Sequence, residues 1–433
     1  MFFPFLLLFI TTALCFTATV VDYAPHSNPI KNRAEALALV KQNLDGLLST
    51  CHTSFDIAVF PEYSITGESL HSRADSFFFA TDLSDTCDIL QAIQNFASIF
   101  GSTVIINIPI RMDHNVYNGA LAINSDGKIL AKYLKEHLYG NEVKYFDSGN
   151  PTFNDEFGHF ILDQYKFFLS VCFDLMFPNL YDRISRDDDV ITPIIIAPVN
   201  WVQFSPFITG SSVFNGISLF YNIPVIISSS SGRNSAGSII SWKGQSKCLI
   251  INNDRMIGQG ESCSFEFPSI KSNQPSQLRL NQRKGLSVLG SNPIPTDYKY
   301  THINQSGEYR LETNHFDCVA KVELADHNSS IILIASDGSY NNLPVQICSL
   351  MVCNKEKIND CFITNYSTFT IQSVVIELNQ KEELSRSKVV IPLSHDGLIG
   401  HDISELNSDN QSFTIVEKIP ITRSNIGFMI VLD

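Results

Sequence analysis

From about residue 34 to 250 the chain alternates between two hydrophobic periods. Ala34 to Leu47 (AEALALVKQNLDGL) carries apolar residues at helical spacing, and Cys87 to Phe100 does so again. Asp56 to Phe60 (DIAVF) is a short apolar run stopped by Pro61. Thr103 to Ile110 (TVIINIPI) is a second such run, and both predict buried strands. Two hairpins follow. One joins Tyr117–Asn124 to Lys128–Tyr133 across Ser125-Asp126-Gly127, with Asp-Gly as the turn signal; the other joins Phe160–Leu162 to Phe167–Cys172. Ile191 to Pro198 and Val225 to Ser229 predict further buried strands, with a helix over Val213 to Tyr221 between them. Strands alternating with helices indicate an α/β layered domain.

After about residue 265 the texture changes. Lys271 to Lys299 is rich in Ser, Asn, Gln and Pro and reads as a connector. Beyond it, Asp317–Leu324, Ser330–Ser336, Pro344–Val352, Thr368–Leu378 and Ser412–Ile419 predict β-strands separated by polar turns. The organisation expected is a leader over residues 1–18, an α/β domain over 19–285, and a smaller, mostly β domain over 286–433.

The leader follows from MFFPFLLLFITTALCFTA, an apolar run of signal-peptide length that ends in small residues, with cleavage expected between residues 15 and 20. Its strongly apolar part is short for a membrane span. The tail from Ile426 to Asp433 is too short for a lipid-anchor signal. A secreted chain without a membrane anchor is the expectation. Cys318, Cys348, Cys353 and Cys361 cluster late, which in a secreted context implies one or two disulfides, with three connectivities open. Asn304, Asn328, Asn365 and Asn410 begin N-x-[ST] sequons and are candidate glycosylation sites in the same third of the chain.

Composition narrows the partners. Hydrophobic residues make up 44% and charged residues 17%, enough apolar material for a large core. The net charge of −14 argues against nucleic acid and against anionic lipid, since both need a basic surface. No HExxH or paired metal-ligand spacing occurs among the 11 His, and no metal or cofactor is expected.

Three reactive groups stand at predicted strand ends. Val59-Phe60-Pro61-Glu62 puts an acid after an apolar strand, Tyr133-Leu134-Lys135 a lysine at the end of a hairpin strand, and Val171-Cys172-Phe173-Asp174 a thiol at the end of another. Ligands gather at the carboxyl ends of strands in α/β sheets. A thiolate attacks an amide carbonyl to form a thioester; a nearby ammonium favours the thiolate and the oxyanion; a carboxylate moves the protons. Taken singly each residue is bland: a strand-end Cys is usually a small core residue, and a Cys172–His137 dyad is disfavoured because the His precedes the Cys. Asp187-Asp188-Asp189 reads as a solvated acidic loop, and His137 as a hydrogen-bonded structural residue.

The three segments resemble the signatures of the nitrilase superfamily: an acid in FPEYSITG, a lysine in YLKEHLYGNE and a cysteine in VCFD, in that order. The resemblance implies an α-β-β-α sandwich, with Glu62 as general base, Lys135 as oxyanion-stabilising lysine, Cys172 as nucleophile and Glu142 as a second glutamate. The family usually has that acid directly after Gly; here Asn141 intervenes. The secretory start, FGHFILDQYKFFLSVCFDLMF and the appended β region with QICSLMVC are similar to the vanin/biotinidase branch. Members of that branch hydrolyse small-molecule amides, pantetheine or biocytin; an inactive secreted binding protein of the same fold is the reading from another class. Leu175–Asn179 and Pro198–Val202 depart from the vertebrate-like pattern, and Asn200 and Trp201 there are candidate substrate-pocket residues.

Overall fold

The computed structural model describes residues 16–50, 55–67, 69–83, 88–187, 191–201, 210–230, 237–250, 256–267, 296–324, 331–340, 343–352, 369–381, 388–394, 405–408, 412–417, 421–423 and 425–432. Its first part runs β1 (Phe16–Tyr23), α1 (Arg33–Thr50), β2 (Ile57–Val59), α2 (Arg73–Phe79), β3 (Thr81–Asp82), α3 (Asp88–Phe100), β4 (Thr103–Met112), β5 (Asn115–Ile123), β6 (Ile129–Leu134), α4 (Pro151–Phe157), β7 (His159–Leu162), β8 (Tyr165–Leu169), α5 (Pro178–Ser185), β9 (Thr192–Val199), α6 (Gly210–Phe220), β10 (Val225–Ser229), β11 (Ser238–Trp242), β12 (Gln245–Ile250) and β13 (Gly260–Phe267). Two 3₁₀ turns, Gly140–Lys144 and Cys172–Met176, interrupt it.

Local chemistry explains the borders. In α1 the buried positions Ala36, Leu39, Val40, Asn43, Leu44 and Leu47 share one face of a 3.6-residue period. Asn150 caps α4 by accepting from Thr152 N at 2.9 Å, and Pro151 follows where its missing N–H costs nothing. Gly127 closes the β5–β6 hairpin at φ +76°, a conformation that penalises a Cβ. The Asn124 side chain accepts from Asp126 N and Lys128 N to hold that turn.

Two sheets stack face to face. One has the order β13-β1-β2-β4-β5-β6, with β3 paired to β4; the other has the order β12-β11-β10-β9-β8-β7. Their central strands are parallel and their outer strands antiparallel. Side-chain alternation distributes the core. Phe16, Ala18, Val20, Ile57, Val59 and Ile105 face the second sheet, while Val21, Ala58, Val104 and Ile106 face α1 and α3. Residues of α5 and α6, such as Leu180, Ile184, Phe214 and Ile217, cover the far side. Helix–sheet–sheet–helix layering forms, as the sequence indicates.

The second part contains β14 (Tyr298–Ile303), β15 (Gly307–Glu312), β16 (Phe316–Leu324), β17 (Ile331–Tyr340), β18 (Leu343–Val352), β19 (Phe369–Gln380), β20 (Lys388–Ser394), β21 (Glu405–Ser408), β22 (Ser412–Glu417), β23 (Ile421–Arg423) and β24 (Asn425–Leu432). They form two sheets, β14-β17-β18-β24-β20 and β15-β16-β19-β22-β21 with β23 on β19. Leu333, Ala335, Cys348, Leu350, Phe428 and Ile430 face the other sheet of this sandwich. The alternate residues Ile332, Ile334, Val345, Ile347 and Met429 join the core of the first part, and β20 packs on α6. Burial on both faces explains why Ser349–Met351 and Phe428–Ile430 show no polar alternation.

Several details differ from the sequence reading. Phe16, Thr17 and Ala18, within the span where cleavage is expected, are the first three residues of β1; all three pair with β13, and Ala18 also pairs with β2; residues 1–15 lie outside the described residues. Of the late cysteines, Cys318 bonds Cys348, while Cys353 and Cys361 lie outside the described residues. A second disulfide, Cys248–Cys263, joins β12 to β13 and has no counterpart in the sequence reading. Asn304 is exposed in the turn after β14; Asn328, Asn365 and Asn410 lie outside the described residues.

Candidate active site

The reactive groups converge where β2, β6 and β8 end. β2 stops at Val59, and Glu62 follows in a tight turn whose next residue, Tyr63, has φ +61°. That turn is pinned across the sandwich: Glu62 N donates to Val199 O, at the end of β9, at 3.2 Å. Lys135 follows β6 directly and donates its N–H to Asn118 O on β5 at 2.8 Å. Cys172 is not a strand end as the hairpin reading has it. β8 stops at Leu169, and Cys172 opens the 3₁₀ turn with φ +48°. That is a left-handed conformation a non-glycine residue adopts at a cost, a kind of strain that clusters at functional sites.

Glu62 is 1% exposed, Lys135 0% and Cys172 8%. Lys135 Nζ donates to Glu62 Oε1 at 2.9 Å and to Glu142 at 2.8 Å. Glu142 therefore joins the cluster despite the inserted Asn141, because the 3₁₀ turn Gly140–Lys144 carries it back over Lys135. It also accepts from Tyr139 N at 2.7 Å and from the Tyr63 hydroxyl. Asn118 Nδ2 donates to Glu62 at 2.8 Å and to Glu142 at 3.1 Å. Asn107 in turn orients Asn118 by donating to its Oδ1 at 2.6 Å, while accepting from Tyr63 N at 3.0 Å. Asn200 contributes its backbone: its N–H lies 2.8 Å from Glu62 Oε2, and it opposes the rise of the Cys172 thiol. Its side chain accepts from the Ser230 hydroxyl. Trp201 is buried edge-on against Phe214, and its indole N–H has no partner among the described residues.

Burial and charge act in opposite directions here. Burial raises Glu62 above the ordinary carboxylate range, against the pull of Lys135, and Glu142 adds to the rise. Burial alone lowers Lys135, yet Glu142 and Glu62 together hold it well above a free lysine. Burial likewise raises Glu142, but Lys135 and the Tyr63 hydroxyl outweigh it and the acid stays low. Burial and the Glu62 charge raise the Cys172 thiol well above its usual value, and Lys135 opposes them. The thiol is thus held toward its protonated form and the lysine toward its charged form, between one acid whose proton affinity is raised and one whose proton affinity is lowered. A buried ion cluster of this kind gives little net stability. What it provides chemically is a weakly acidic sulfur with a base whose proton affinity has been raised toward it.

A second network fixes the distance between the sulfur turn and the lysine strand. Asp174, 2% exposed, accepts from His137 N at 2.7 Å, His137 Nδ1 at 2.9 Å, Tyr133 Oη at 2.8 Å and Glu136 N at 3.2 Å. Asn154 on α4 brackets Leu134, accepting from its N–H at 2.9 Å and donating to its carbonyl at 2.8 Å. The ring of His137 stacks on Phe177 at 3.7 Å. The sequence reading misses Asn107, Asn118, Asn154 and Asp174. The signal was present for Asn107, a lone polar residue inside TVIINIPI, since a buried amide must find partners.

Known proteins place this geometry in a family. The carbon-nitrogen hydrolase model matches residues 17–208, and the vanin C-terminal domain model matches residues 289–419. The chain is similar to human pantetheinase, 23% identical over 416 residues, covering 82% of this chain and 78% of that protein. It is similar to the protein N-terminal amidase of Saccharomyces cerevisiae at 28% over 173 residues, covering 38% of this chain and only 36% of the amidase. Bovine pantetheinase matches at 26% over 226 residues, covering 44% of this chain and 41% of the relative. A catalytic-type sandwich followed by a vanin-type β sandwich is one continuous organisation, and the chain belongs to the carbon–nitrogen hydrolases of the nitrilase superfamily that carry a vanin C-terminal domain, hydrolases of amide C–N bonds.

Proposed function

We propose that this chain is a secreted pantetheine hydrolase, releasing pantothenate and cysteamine through a thioester on Cys172. The observation that carries the reading is the buried Lys135, paired to Glu62 at 2.9 Å and within electrostatic reach of the Cys172 sulfur. Glu62 takes the thiol proton as the sulfur bonds to the amide carbon. Lys135 faces the negative oxygen of the tetrahedral intermediate. Collapse expels the amine, which leaves with the proton from Glu62. Water then attacks the thioester, Glu62 removes one of its protons and returns it to the sulfur, and the free acid departs. Glu142 keeps Lys135 charged throughout. No step calls for a metal or cofactor. Among the described residues no helix is long and apolar enough to cross a membrane. Secretion rests on the apolar leader and the sequons; cleavage just before Phe16 would leave β1 whole.

The test is product identification with pantetheine and biocytin side by side, using wild type and Cys172→Ala. Cysteamine release from pantetheine that vanishes in the variant is the expected result. Lysine release from biocytin at a higher kcat/KM would move the assignment to a biotinidase, and no turnover of either would leave a binding protein of this fold.

A further inference from the structure

Among the described residues Glu62 and Glu142 receive nearly matched sets of donors. Glu62 accepts from Lys135 Nζ at 2.9 Å, Asn118 Nδ2 at 2.8 Å and Asn200 N at 2.8 Å. Glu142 accepts from the same ammonium at 2.8 Å, the same amide at 3.1 Å and Tyr139 N at 2.7 Å. Each acid thus has one ammonium, one amide and one main-chain N–H. Two carboxylates so alike on one lysine would compete for any proton that enters the site. Two features separate them. Glu142 is 12% exposed against 1% for Glu62, and Glu142 alone accepts from the Tyr63 hydroxyl.

Tyr63 is held for that contact. Its φ of +61° lies in the left-handed region, which a bulky side chain occupies at a cost. The turn is fixed on both sides: Tyr63 N donates to Asn107 Oδ1 at 3.0 Å, and Gly67 N donates to Tyr63 O at 2.7 Å. The ring packs on the buried group Ala80, Val116 and Phe146. The phenol oxygen faces the Asn118 amide at 3.1 Å, so its own proton is kept for Glu142. A donor to the charged form of an acid lowers that acid's proton affinity. The other groups facing Glu142 are Lys135, Glu62 and Cys172; Lys144 on the same 3₁₀ turn is exposed.

We propose that Tyr63 is a positioning residue whose hydroxyl makes the two acids unequal, reserving the travelling proton for Glu62 and holding Glu142 as the permanent counterion of Lys135. The assignment rests on the thioester route, in which Glu62 takes the thiol proton and later returns it. While Glu62 carries that proton, Glu142 is the carboxylate that keeps Lys135 charged toward the oxyanion.

The experiment compares wild type, Tyr63→Phe and a ring-fluorinated tyrosine at position 63, with whichever of pantetheine and biocytin the wild type hydrolyses. Rates are measured across pH, the thioester is trapped by acid quench and weighed by mass spectrometry, and Tm is recorded for each protein. Phenylalanine keeps the ring in its apolar surroundings and removes one hydrogen bond to a charged acceptor, so kcat should fall about tenfold with KM nearly unchanged. The acid limb of kcat should move to higher pH, because Glu142 then takes up a proton more readily. The fluorinated phenol is the stronger donor and should restore both kcat and the acid limb. Unchanged kcat and acid limb in a folded Tyr63→Phe overturns the proposal. An equal loss in the fluorinated protein also overturns it, since the ring and not the donor would be the cause. Turnover by wild type with no trappable thioester would refute the thioester route itself, and this assignment with it.

Discussion

Asp174→Asn isolates the network that sets the spacing between Cys172 and Lys135. The aspartate accepts four hydrogen bonds, two per oxygen. Asparagine has the same shape but one acceptor oxygen. With that oxygen kept toward His137, the new amide NH2 faces the Tyr133 hydroxyl and the Glu136 N–H. The hydroxyl can turn and accept; the N–H cannot. One part-buried N–H left unpaired, plus the lost charge assistance in the bonds that remain, costs about 2–4 kcal/mol. The separation of the sulfur turn from the lysine strand then relaxes, and a displacement near 1 Å lowers kcat about 10²-fold. KM changes little, since Asp174 is 2% exposed and bonded to the fold. Denaturant unfolding, steady-state kinetics on an amide substrate and the rate of Cys172 alkylation read the three effects separately. A variant within about 0.5 kcal/mol of wild type, with unchanged kcat, would refute the reasoning.

Cys172→Ala should lower kcat at least ~10³-fold, as removal of a covalent nucleophile does; residual activity within a few-fold, checked by mass spectrometry for the absence of a trapped thioester, would discard the thioester route. Lys135→Ala leaves Glu62 and Glu142 facing each other in a dry site, so it should cost about 3–5 kcal/mol and suppress kcat more than it raises KM; a raised KM alone would contradict the oxyanion role. Because burial holds Glu62 above the ordinary carboxylate range, kcat/KM should fall as pH drops through that raised value, when the base becomes protonated. An acid limb at or below the usual carboxylate pKa would count against Glu62. The same sign makes ionised Glu62 a destabilising group: its unfavourable contribution is absent below the unfolded pKa and appears as pH rises through the folded one.

The sequence exposed the parts of this molecule whose burial is complete. VIINIPI, DIAVF and IIIAP become β4, β2 and β9 because both faces of those strands are covered, so no alternation dilutes the signal. β1 was obscured because its residues continue the apolar run that opens the sequence. The last turn of the β8 hairpin was drawn too long because Ser170 and Val171 remain buried after the ladder ends. The identities of Glu62, Lys135 and Cys172 were legible as motifs. The supporting shell was not, since Asp174 and Asn154 act through backbone groups whose positions only the fold defines. Pairing of Cys248 with Cys263 was hidden for the same reason: the strands carrying them lie at the edges of different sheets.

The placement of β1 bears on how the chain is made. Its neighbour on one side, β2, comes soon after it, but its neighbour on the other side, β13, is the last strand of the first sandwich. A growing polypeptide emerging amino end first therefore carries an unsatisfied strand edge until residue 267 is synthesised. Such an edge invites pairing with other chains. Truncations that stop before β13 should accordingly aggregate more than those ending just beyond it, although the latter still lack the β17, β18 and β24 side chains that complete the first core.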